Sequence, residues 1–192
     1  MSIQLLGQFQ VRLGGEPVTD FESDKVRGLL AYLAVEQEQL HRREKLAGLL
    51  WPDMPESAAR NNLRRTLANL RQVIGDREAQ RPFLNVSRQA VQADAAAGAW
   101  IDVVEFGELL GVDAGSGRSA ERLQQATEQA LQRAVELYRG SFLEGFSLAE
   151  SAAFEEWLLF KREQLHRQAS EALEALTARH KGRGEHKTAL GY

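Results

Sequence analysis

The stretch from Ser57 to Gly75, SAARNNLRRTLANLRQVIG, constrains this chain more than any other. At about 100° per residue, Leu63, Leu67, Leu70 and Ile74 share one narrow face of a helix. Asn61, Arg65, Asn69 and Gln72 fall roughly opposite, and Arg60, Arg64 and Arg71 line one flank. Such a helix has a packed back, an amide-and-arginine front and a basic edge. The front suits base-pair edges, because arginine pairs in bidentate fashion with guanine and asparagine with adenine. The flank suits phosphates. Asn61, Arg65 and Asn69 are therefore candidate base readers, and Arg60, Arg64 and Arg71 candidate phosphate contacts. The same pattern also suits a solvated surface helix, an acidic partner or a dimer seam. The helix alone does not choose among these, so its context must.

Charge distribution supplies part of that context. The whole chain of 192 residues carries a formal net charge of −3, which does not suit a nucleic-acid binder. Between Ser57 and Arg88, however, seven arginines face only Asp76 and Glu78. From Ala96 onward, acids outnumber bases by fifteen to eleven. A basic patch is thus set into an acidic protein, and distribution matters more than the total. There is no cysteine, which removes disulfides, thiolate catalysis and cysteine-based zinc sites and agrees with a reducing cytoplasm. No apolar run is long enough to span a membrane, and MSIQLLGQFQ lacks the regions of a signal peptide. His41, His166, His180 and His186 lack metal-ligand spacing. No phosphate-binding, dinucleotide, hydrolase or metalloprotease motif occurs, so neither an enzyme nor a cofactor is expected. The GSGRS loop (Gly115 to Ser119) follows no strand and is a poor phosphate cradle.

In chain order, Ile3 to Val18 reads as strands. Phe9, Val11 and Leu13 alternate with polar residues, Gly14-Gly15 marks a hairpin turn, and Pro17 confines its strand to an edge. A helix follows from about Lys25, with Ser23 or Asp24 as cap, and its Gly28 permits close packing. A second helix runs from about Arg42 to Leu50 and is ended by Trp51-Pro52. Lys45 and Arg42 sit near its start, where free N–H groups favour phosphate. Ser57 is placed to cap the arginine helix. Phe83–Val86 and Ala90–Gln92 then read as a β-hairpin with Arg88 near its tip. Strands, three helices, hairpin is the order of a winged helix. Ala95 to Gly98 is a bland joint. The remainder reads as helical: Ile101 to Gly111, a flexible loop over Asp113–Ser119, Ala120 to Arg139, a glycine-punctuated break over Gly140–Phe146, and Ala152 to about His180. Small-to-large seams between these helices suggest tetratricopeptide-like packing. Thr188-Ala189-Leu190 opens an apolar pattern with no cap after it, which predicts a longer protein.

Four segments, LLGQFQV, KVRGLLAYLA, REKLAGLLWPD and ARNNLRRTLANLRQVIG, resemble the OmpR-type winged-helix domain of the SARP family of bacterial transcriptional activators. WIDVVEF, ALQRAVELYRGSFLEGF and FEEWLLFKREQLHRQASEALEAL resemble the bacterial transcriptional activation domain that follows it in that family. The resemblance covers nearly the whole chain in the expected order. It implies a DNA-binding regulator that recruits RNA polymerase, often binding direct repeats as a dimer.

The expected architecture is therefore α+β followed by all-α. Residues 1–95 form a winged helix-turn-helix DNA-binding domain, and residues 96–192 a tetratricopeptide-like activation domain continuing beyond the chain's end. The expected DNA contacts are Lys45, Arg60, Asn61, Arg64, Arg65, Asn69, Arg71 and Arg88. The expected partners are double-stranded DNA, RNA polymerase and a second copy on DNA, since one helix covers few base pairs. The rival reading is a protein-interaction scaffold that binds no DNA, and salt-dependent DNA binding separates the two.

Overall fold

The computed structural model describes residues 1–37, 39–111 and 125–183. The chain opens with β1 (Ser2–Gln4), β2 (Gln10–Leu13) and β3 (Glu16–Pro17), an antiparallel meander with Ile3 opposite Val11. The turn between β2 and β3 is made by Gly14 and Gly15, both at positive φ, where a side chain would be strained. Three helices follow: α1 (Asp24–Val35), α2 (Arg43–Leu50) and α3 (Glu56–Val73). Between α1 and α2 lies a two-residue strand, β4 (His41–Arg42), which the sequence pattern does not reveal. It pairs with β6 (Ala90–Ala93), the second strand of the hairpin begun by β5 (Leu84–Val86), giving the sheet order β4-β6-β5.

The start of α3 differs from expectation. The helix begins at Glu56, one residue before Ser57, because the Pro55 carbonyl already accepts the Ala59 amide at 3.0 Å. Ser57 is exposed in the first turn and makes no cap.

A short 3-10 turn at Ala95–Ala97 leads to β7 (Trp100–Ile101), which lies parallel to β1 and completes the sheet order β3-β2-β1-β7. The remaining described elements are helical: α4 (Asp102–Leu110), α5 (Glu128–Leu137) and α6 (Ala152–Gly182). The helix expected to run unbroken from Ala120 to Arg139 is interrupted in its described part. Thr127 is extended and its hydroxyl accepts the Ala130 amide at 3.1 Å, so a new helix starts there. The loop expected over Asp113–Ser119, the turns from Ala120 to Gln124, His186 and the pattern at Thr188 lie outside the described residues.

The mixed α/β part and the helical part share one continuous core. Asp102, fully buried, is one junction. Its carboxylate accepts the amides of Leu5 (2.8 Å), Leu6 (3.0 Å) and Val103 (2.8 Å) and pairs with Arg139 at 3.1 Å. A second junction is Glu36 at the end of α1, which accepts the Trp157 indole N–H at 3.0 Å and the Lys161 ammonium at 2.9 Å from α6. Burial would raise the Glu36 pKa, but these donors overcome it and hold the carboxyl below its ordinary range. Gly28 on α1 lets the helical part approach closely, for a Cβ there would meet Leu148 Cδ1 at 2.8 Å and the Phe154 ring at 3.3 Å.

Candidate nucleic-acid interface

The apolar stripe of α3 decides how the helix is held. Ala59, Leu63, Leu67 and Leu70 are buried against α1 and α2, and each large side chain contributes roughly 1.5–3 kcal/mol on burial. Because the back is fixed, the opposite face turns outward. Arg60, Asn61, Arg64, Arg65 and Gln72 are all exposed.

The exposed side chains differ in how they are held. Arg64 donates to the Asn61 side-chain carbonyl at 2.9 Å, one turn apart. Arg60 pairs with Glu44 at 2.9 Å and Glu56 at 2.5 Å. These pairs are solvent-exposed, and such pairs are worth about 1 kcal/mol or less, so a phosphate can compete for Arg60. The Arg65 side chain makes no hydrogen bond or ion pair among the described residues. It borders a cleft of about 520 Å³ between α3, the start of α1 and the Ser147–Glu150 loop of the helical part, lined also by Lys25, Trp51 and Asn62.

Two of the expected contacts stand elsewhere than the helical wheel placed them. Asn69 is buried, at 9% exposure, and its side-chain carbonyl accepts the Glu22 amide at 3.3 Å. It packs at the approach to α1 and is not part of the exposed face. Arg71 is half-buried and its Nε donates to the Asp76 carboxylate at 3.1 Å. Its place is at the closing turn of α3.

At the hairpin, the Ser87 hydroxyl accepts the Ala90 amide at 2.9 Å and the Gln89 amide at 3.3 Å. This ties the turn and leaves Arg88 exposed at its apex. Lys45 is exposed on the first turns of α2, close to His41. Burial lowers the His41 pKa and the Lys45 charge lowers it further, against the hydrogen bond of its ring to the Glu36 carbonyl. His41 is therefore a neutral bridge between β4 and α1. Arg77, which the wheel could not include, is exposed just beyond α3 and donates to the Ala68 carbonyl at 3.2 Å. The arginine excess between Ser57 and Arg88 was the signal for it. Among the described residues no group of three or more His, Asp or Glu side chains is arranged to hold a metal ion, and no helix is long and apolar enough to cross a membrane.

Residues 101–192 match the family model of the bacterial transcriptional activator domain. That segment belongs to this family. The activator domain so defined takes in α4, α5 and α6, which pack each against the next. The fold of nearly the whole chain is also similar to that of Mycobacterium tuberculosis EmbR, solved in complex with a low-affinity phosphopeptide. The TM-score is 0.64 at 23% identity, over 97% of this chain and 49% of that one. The chain thus spans about half the length of that structure's chain. No curated protein matches it. An activator domain within a chain of this fold supports the SARP type of bacterial transcriptional activator that the sequence resembles.

Proposed function

We propose that the protein is a sequence-specific DNA-binding transcriptional activator whose residues 1–95 act as a winged helix-turn-helix domain. In this reading α3 enters the major groove and the Leu84–Ala93 hairpin is the wing. The observation that carries it is the exposed row of Asn61, Arg64 and Arg65 on a helix whose back is buried, joined to an activator domain. Arg65 and Asn61 read base edges, where a good bidentate contact gives roughly 1–3 kcal/mol of discrimination. Arg60, Arg64, Lys45 and Arg88 contact phosphates, and Arg71 does so from the closing turn of α3. Residues 96–192, with helices packed in sequence, act as the tetratricopeptide-like domain that contacts RNA polymerase. One reading helix spans few base pairs, so two copies on direct repeats supply useful specificity. Such an activator works in the bacterial cytoplasm, beside the chromosome.

Fluorescence anisotropy of the protein on random duplexes across a salt series tests the reading. Binding that weakens steeply with salt is expected, with a slope near −0.9 for each phosphate contacted. Absence of binding at low salt would leave the protein-scaffold reading in its place.

A further inference from the structure

Asp76 lies just past the turn at Gly75, in a segment whose next residues, Arg77 to Arg81, are exposed. Its own exposure is 2%. A carboxylate taken out of water is costly unless donors surround it. Here three do. Asp76 Oδ1 accepts the amides of Phe83 at 2.5 Å and Leu84 at 3.2 Å, where the hairpin begins. Its Oδ2 accepts from Arg71 Nε at 3.1 Å, and its own amide donates to the Arg71 carbonyl at 2.8 Å. One side chain thus joins the last full turn of α3 to the first residues of β5. Arg88 at the hairpin tip lies four residues beyond Leu84, roughly 13 Å at strand rise. A change of angle at Asp76 is therefore carried outward to Arg88.

We propose that Asp76 is the positioning residue that sets the hairpin against α3, so that Arg88 and the α3 arginines meet one duplex together. The inference rests on the reading of these elements as DNA contacts, and Asp76 itself touches no DNA. Asparagine at this position keeps an acceptor for the two amides but turns an NH₂ group toward Arg71, a donor facing a donor. Asp76→Asn also removes a negative charge, which by general electrostatics favours binding to a polyanion. A positioning role predicts the opposite sign.

The test is a four-member cycle on the intact protein: wild type, Arg88→Ala, Asp76→Asn and the double variant, each titrated with one duplex across a salt series. In wild type, Arg88→Ala is expected to reduce the salt slope by about 0.9. In the Asp76→Asn background it is expected to change nothing, and Asp76→Asn alone binds more weakly than wild type. Amide exchange at Phe83 and Leu84 is expected to quicken while the interior amides of α3 keep their protection. If Arg88→Ala costs the same in both backgrounds, or Asp76→Asn tightens binding, the positioning role is overturned and the DNA reading survives. If wild type shows no salt-dependent binding, the DNA reading itself fails. Should Asp76→Asn not fold, Asp76→Glu keeps the charge but lengthens the arm. The same loss of the Arg88 contribution is expected there, and a retained contribution overturns the proposal.

Discussion

Among single residues, Asn69 separates a base reader from a packing residue. Its carbonyl is engaged by the Glu22 amide and its side chain is buried. Glu22 is itself exposed, so its amide can turn to water, and Asn69→Ala should cost about 0.5–1.5 kcal/mol of stability, the net worth of one hydrogen bond. Base preference should not change; a guanidinium melt and a site-preference measurement on the folded variant check both. The wheel misplaced Asn69 for a geometric reason. Four residues turn a helix by about 400°, so Asn61, Arg65 and Asn69 drift about 40° at each step, and the third swings toward α1. His41 gives a second prediction. Its folded pKa lies below the ordinary 6.5, so the unfolded chain takes up the proton first as pH falls. Its contribution is intact above 6.5 and is lost progressively as pH drops from there to the depressed value, at most about 1.4 kcal/mol per pH unit. Wild type should lose stability over that interval, and His41→Gln should lose less. Parallel slopes of melting temperature against pH would contradict this.

At the scale of elements, what the sequence discloses depends on whether an element carries its own signal. The α3 helix, with Leu63, Leu67 and Leu70 in period, is legible to within two residues at either end, and the alternation at Phe9, Val11 and Leu13 marks the N-terminal strands. Strands β4 and β7 are not legible, because two residues have no period. They exist through partners distant in the chain, His41 opposite Val91 and Ser2 opposite Trp100. The Asp76 link is hidden for the same reason, lying in a turn-rich segment whose contacts are set only by the fold. The seam between α1 and α6 is equally nonlocal. Trp157 packs on Tyr32, Phe142 and Phe154 and donates to Glu36. Trp157→Ala should cost about 3 kcal/mol, the low end for truncating a large aromatic residue, and Trp157→Phe clearly less. Urea unfolding followed by far-UV circular dichroism checks the ranking, and equal costs would mean the ring packing carries little.

Across the whole molecule, the N-terminal sheet, the three helices and the activator domain are knit by backbone as well as side chains: β7 lies on β1, Asp102 caps the Leu5 and Leu6 amides, and Gly7 donates to the Ser141 carbonyl at 3.2 Å. Unfolding should therefore be one cooperative transition, with intrinsic tryptophan fluorescence and circular dichroism coincident; two separated transitions would show the halves to be independent. These links also give the activator domain a defined orientation relative to α3. The central claim remains that the exposed face of α3 reads base pairs. Its most direct test is to select a preferred duplex, substitute each base pair in turn, and compare wild type with Arg65→Ala and Arg64→Ala. Arg65→Ala is expected to erase discrimination at one position, worth roughly 1–3 kcal/mol, while Arg64→Ala weakens every duplex alike. If Arg65→Ala leaves every base preference intact, α3 does not read DNA through this face.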